Sequence, residues 1–125
     1  MAGNGDTKGR TMMRLRMTAI ALVGALALAG AALAEDNELG KKIYAQKCAS
    51  CHAADGKGNA KMGEMLKVSI PALAGGPTRT DAELVKIISE GKKPMPAFAN
   101  KLSKEELAAV AHYAKELATG HVAGK

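Results

Sequence analysis

The 125-residue sequence predicts a small all-α domain. Two stretches each open on a capping box and carry apolar residues at helical spacing. The segment ahead of them is broken by glycine and proline, and no run alternates as a half-buried strand does.

Residues 1–34 read as an export leader and lie outside the fold. Arg10, Arg14 and Arg16 precede an Ala/Leu-rich segment from Thr18 to Ala34, which closes on the small-x-small pattern Ala32-Leu33-Ala34. The expected cleavage follows Ala34, leaving 35–125 as a single domain. Leu15 separates Arg14 from Arg16, so the Sec route is expected rather than the twin-arginine one. The residues ahead of Met12 and Met13 read as an overlong start. An uncleaved anchor is the alternative, but the apolar stretch is short and rich in alanine and glycine, which disfavours a permanent span.

The first helix is expected from Asp36 or Asn37, either serving as N-cap, to about Cys48. Leu39, Ile43 and Tyr44 form its apolar face, and Gly40 leaves a flat spot one turn before Tyr44. A loop follows from about Ala53 to Arg79, with a short helical turn at Met62, Met65 and Leu66. The next helix opens on the capping box Thr80-Asp81-Ala82-Glu83, carries the stripe Leu84, Ile87 and Ile88, and stops at Gly91. In the last helix Ser103 and Glu106 make a second capping box, flanked by Leu102 and Leu107. Leu107, Val110, Ala111, Ala114 and Leu117 face the core until Gly120 ends it.

Between the first helix and the loop stands Cys48-Ala49-Ser50-Cys51-His52, the attachment signature of c-type haem. Each thiol can add to one vinyl group of the porphyrin, and the adjacent imidazole becomes the proximal iron ligand. There are no other cysteines, so one covalently attached haem c is expected. A thioredoxin-like couple would need a βαβ setting. Zinc would need a fourth donor beside Cys48, Cys51 and His52, with Cys51 and His52 awkwardly adjacent. A structural disulfide here would close too small a loop to stabilise much. The thin core agrees with haem: the sequence has no Trp, with Phe98, Tyr44 and Tyr113 its only aromatics besides histidine.

A sixth ligand is expected from Met95, which lies between Pro94 and Pro96. A thioether is a weak donor and must be held by stiff backbone. Two prolines fix two φ angles and remove two amide donors, so a stiff extended loop is expected to present Met95. Met62 and Met65 are read as flexible core filler. His112 is read as a surface or half-buried helix residue, and His121 as part of a frayed tail.

The whole chain carries a net charge of +6. The leader holds Lys8, Arg10, Arg14 and Arg16 against Asp6, a net +3; the remainder has 13 lysines and Arg79 against 11 acids, also +3. A modest lysine-rich surface fits steering toward acidic protein partners as well as plain solubility. It is too weak and too poor in aromatics for nucleic acid.

Gly40, Tyr44, the Cys48–His52 motif, Met95-Pro96-Ala97-Phe98 and Tyr113 in the last helix together resemble a bacterial class I cytochrome c, over the span from Leu39 to Leu117. The resemblance implies three to five helices wrapped around one covalently bound haem. It also implies a crossing of first and last helices at Gly40 and Tyr113. The carbonyl of a loop proline, here Pro71, would accept from the proximal imidazole. The tryptophan that often binds a haem propionate is absent and the residues that take its place are open; Arg79 is one candidate, but it is read first as a plainly exposed residue. The early motif separates the chain from four-helix-bundle cytochromes, and its single copy from dihaem peroxidases. The implied function is that of a periplasmic electron carrier, not an enzyme, exchanging electrons with a redox donor and acceptor. Lys92 and Lys93 are candidates for the docking rim. The alternatives are a haem subunit of a larger oxidoreductase, for example one oxidising sulfur compounds or alcohols, and a haem ligand sensor in which Met95 leaves the iron.

Overall fold

The computed structural model describes residues 34–122. The chain separates into two units, Met1–Glu35 and Asp36–Lys125. The expected leader, with Arg10, Arg14 and Arg16, lies outside the described residues apart from Ala34. Five helices run along the described chain: α1 over 34–47, α2 (Ala49–His52), α3 (Ala60–Leu66), α4 (Asp81–Glu90) and α5 (Lys104–Thr119). Among the described residues there is no strand, only an isolated bridge between Lys92 and Met95. None of these helices is long and apolar enough to cross a membrane.

α1 is already helical at residue 34, so neither Asp36 nor Asn37 caps it. Asn37 instead sends Nδ2 to Glu116 Oε2 of α5, 2.7 Å away. The expected apolar face holds: Ile43 and Tyr44 are buried and Leu39 packs against the core. α3 is a real helix of seven residues, started by the Asn59 side chain accepting the Met62 N–H.

Both capping boxes form. Thr80 Oγ1 accepts the Glu83 N–H at 3.2 Å while Glu83 accepts the Thr80 N–H at 2.8 Å. Ser103 and Glu106 repeat the exchange at 3.2 and 2.8 Å. Each such cap is worth about 1 kcal/mol to its helix. In α4 the inward stripe is Leu84, Val85 and Ile88, whereas Ile87 lies at the surface. Helical spacing allows either choice, and in the structure it is Val85 that packs against the core cluster.

α5 buries the most. Leu107, Val110, Ala111, Ala114 and Leu117 are inside as expected, joined by Ala109 and Tyr113. The helix ends in a Schellman motif, with Gly120 at φ 73° and the His121 N–H donating to the Glu116 carbonyl at 3.0 Å. His121 is therefore a capping residue and not a frayed end.

Candidate functional site

α1 delivers Cys48 to the site, its N–H bonded to the Tyr44 carbonyl at 2.9 Å. The single turn of α2 follows, with the His52 N–H on the Cys48 carbonyl at 2.9 Å and the Cys51 N–H on the same oxygen at 3.2 Å. Residues three apart on a turn are side-chain neighbours, so the two cysteines share one side. Both thiols are free and half-buried. Burial pushes the Cys48 thiol up to about 11, and the neighbouring Cys51 adds to that.

The chain then folds back over the end of this turn. Gly58 N–H donates to the His52 carbonyl and Asn59 N–H to the Cys51 carbonyl, both at 2.8 Å, and Asn59 Nδ2 reaches the Ser50 carbonyl at 2.9 Å. The carbonyls that a helix end leaves open are thus closed by the loop. Gly56, at φ 72°, accepts from Leu73 N–H at 2.6 Å and Ala74 N–H at 3.0 Å, which ties the Pro71 segment to the same loop.

His52 is half-buried. Burial pushes its pKa down, favouring the neutral imidazole, while the Pro71 carbonyl works in the opposite direction. Its buried Nδ1 finds no partner of good hydrogen-bond geometry. A buried orphan nitrogen requires an explanation. A neutral imidazole keeps an unprotonated ring nitrogen that can serve as a metal ligand.

Met95 comes from the other side of the sequence. α4 ends at Gly91, φ 66°, where an added Cβ would lie 2.6 Å from the Pro96 carbonyl carbon. Lys92 and Met95 then exchange N–H to carbonyl bonds at 3.1 and 2.8 Å, closing a tight turn over Lys93 and Pro94, whose peptide bond is cis. Beyond it, Phe98 N–H and Ala99 N–H bond the Ile88 and Ser89 carbonyls at 3.1 and 3.2 Å. The segment is therefore a hydrogen-bonded turn pinned to the end of α4 rather than an extended loop. Proline alone does not hold it, because the Met95 amide is free to pair. Met95 and Cys48, 47 positions apart, both pack against the same buried cluster.

Met65 is 70% exposed and fills no core, and Met62 is half-buried. Arg79 is exposed just before the Thr80 cap. His112 sits on the outer side of α5, with Nδ1 3.5 Å from Asp81 and Nε2 3.6 Å from Glu116. Among the described residues no three His, Cys, Asp or Glu side chains converge as a metal-holding group. Two cysteine sulfurs one turn apart, an imidazole held neutral by burial and a pinned thioether fit a haem attached through sulfur.

The Tyr44 hydroxyl donates to the Ala53 carbonyl at 2.8 Å. Burial, first, and then the nearby Cys48 raise the phenol pKa, so the hydroxyl stays a donor. No spacing rule signals such a bond.

Residues 35–113 match the family model described as cytochrome c oxidase, cbb3-type, subunit III. Cytochrome c6 of Thermosynechococcus vestitus is 34% identical over 110 residues, covering 88% of this chain and 96% of that protein. The chain belongs to the class I c-type cytochromes. Cytochrome c6 of Chlorolobion braunii is also 34% identical, over 69% of this chain and 96% of its own length. This cytochrome likewise matches the cbb3-type cytochrome c oxidase subunit FixP of Bradyrhizobium diazoefficiens, 34% identical over 68% of the chain but only 29% of FixP. As a member of the family it is an electron-transfer haem protein with a covalently bound haem c.

Proposed function

We propose that Cys48 and Cys51 would attach the haem, that His52 and Met95 would ligate its iron, and that the protein carries single electrons between redox proteins in the periplasm. The observation that carries the ligand reading is the buried Nδ1 of His52, left without a hydrogen-bond partner on the turn that also carries Cys48 and Cys51. When bound, the haem iron accepts and returns one electron. The protein's part is to hold both ligands still. α2 and the loop closing over it fix the His52 backbone, while the Lys92–Met95 turn and its bonds to α4 fix the thioether. Ligands that need not move between oxidation states keep reorganisation small, and a thioether favours the ferrous form over a second imidazole.

Export follows from residues 1–34 as a Sec leader cleaved after Ala34, with haem attached after crossing. Lys92 and Lys93 stand exposed on the turn that carries Met95, which supports docking of acidic partners there.

The test is the visible spectrum of purified protein, oxidised and reduced, with and without carbon monoxide. Low-spin bands, a sulfur-to-iron charge-transfer band in the ferric form and no response to carbon monoxide are expected. A high-spin ferric spectrum or rapid carbon monoxide binding would overturn Met95 ligation and favour a ligand sensor. A second reading, a haem subunit fixed in a larger oxidoreductase, is favoured by the match to the oxidase subunit family. Co-purification of the native protein with a larger enzyme would establish it.

A further inference from the structure

We propose that Tyr44 is a positioning residue for His52, acting through the strained backbone of Ala53; the proposal rests on the ligand reading above. Ala53 follows His52 directly and stands at φ 61°, ψ 159°. Glycine enters that region freely, whereas a residue with a Cβ persists there only when its surroundings hold it.

Four hydrogen bonds do the holding. Ala53 N–H donates to the Ala49 carbonyl at 2.9 Å, and Gly58 N–H to the His52 carbonyl at 2.8 Å. The Ala53 carbonyl accepts twice, from Gly56 N–H at 3.1 Å and from the Tyr44 hydroxyl at 2.8 Å. Three of these are local to the turn. The fourth comes from a side chain on another helix, and that side chain is itself fixed.

Tyr44 is 2% exposed, and its ring lies 5.4 Å from that of Tyr113 at a 59° tilt. The tilted aromatic contact ties Tyr44 to α5. A continuous strut thus runs from α5 through both tyrosines to Ala53, and Ala53 sets the direction in which the backbone leaves His52. Released from Tyr44, Ala53 relaxes toward an ordinary conformation and turns the imidazole with it.

The experiment compares holoproteins of the wild type, Tyr44→Phe, Ala53→Gly and the double variant. Phenylalanine keeps the ring against Tyr113 and removes only the donor. In the ferric protein, the spread of haem-methyl proton resonances reports the orientation of the axial imidazole. Tyr44→Phe should shift that pattern and speed exchange of the Gly56 amide, which shares the Ala53 carbonyl, by about fivefold. Ala53→Gly should leave the pattern as in the wild type. The double variant should lie closer to wild type than Tyr44→Phe does, because glycine needs no strut to occupy this conformation.

Unmoved resonances in Tyr44→Phe overturn the inference, and so does an equal displacement in Tyr44→Phe and the double variant. Should Tyr44→Phe yield no holoprotein, its recovery in the double variant supports the inference and non-recovery overturns it. A wild type lacking the low-spin His/Met spectrum overturns the ligand reading and this inference together. An intact wild-type spectrum with unmoved Tyr44→Phe resonances overturns this inference alone.

Discussion

Gly40 of α1 lies directly against the backbone of Ala109 in α5. A Cβ at this position would overlap the Ala109 carbonyl and approach Tyr113 Cβ to 3.0 Å. The two helices cross this closely because residue 40 has no side chain. Gly40→Ala should therefore destabilise the holoprotein by about 2 kcal/mol, since rigid backbone and not a flexible side chain must give way. A denaturant titration measures it; a midpoint within error of the wild type would mean that the helices part without cost.

Met95→Leu keeps the apolar packing of the turn and removes the sulfur. The sulfur-to-iron charge-transfer band should vanish, and the ferrous protein should bind carbon monoxide. Met62→Leu and Met65→Leu should leave both properties unchanged. Loss of the band in either of those two variants instead would move the sixth ligand to α3.

Gly91→Ala tests the support of Met95 rather than Met95 itself. The added Cβ meets the Pro96–Ala97 peptide, and the residue must also hold a φ of 66°. Expected are a stability loss of roughly 1–3 kcal/mol and a sixth ligand that carbon monoxide displaces. A destabilised protein that still excludes carbon monoxide would separate the fold's need for Gly91 from the site's.

Asp81 supplies a pH dependence. Its carboxylate accepts from Lys115 Nζ at 2.8 Å, which holds its pKa below the usual carboxylate range, with His112 adding to the effect. A depressed folded pKa stabilises the protein fully above the unfolded value, and that contribution is lost as pH falls through the folded one. Asp81→Asn should thus be less stable than wild type above about pH 5, by under about 1 kcal/mol given the exposure of the pair. The difference should close in acid. Unfolding free energies of both proteins across that range measure it, and a gap that widens in acid would contradict the sign.

Reversing charge at Lys92 and Lys93 should slow reduction by an acidic redox partner and flatten its dependence on ionic strength. Stopped-flow rates at several salt concentrations provide the measurement. Unchanged rates would take both lysines out of the docking surface.

The haem motif, both capping boxes and the inward face of α5 were legible in the sequence because each rests on spacings of three or four positions. Turn geometry and helical periodicity act over that range, so Thr80 and Glu83, or Cys48 and Cys51, carry their own signal. Pro94 and Pro96 likewise marked the segment around Met95 as one of fixed backbone. Its mode of support was not legible, because the Ile88 and Ser89 carbonyls that anchor the segment belong to the end of another element. The choice between Val85 and Ile87 was equally closed to inspection: helical spacing admits both, and only packing against the core cluster distinguishes them. The bond from Tyr44 to Ala53 likewise depends on α1 and the turn after His52 being held in place together. Long-range packing supplies its partners only after the local elements exist, and that is where the sequence falls silent.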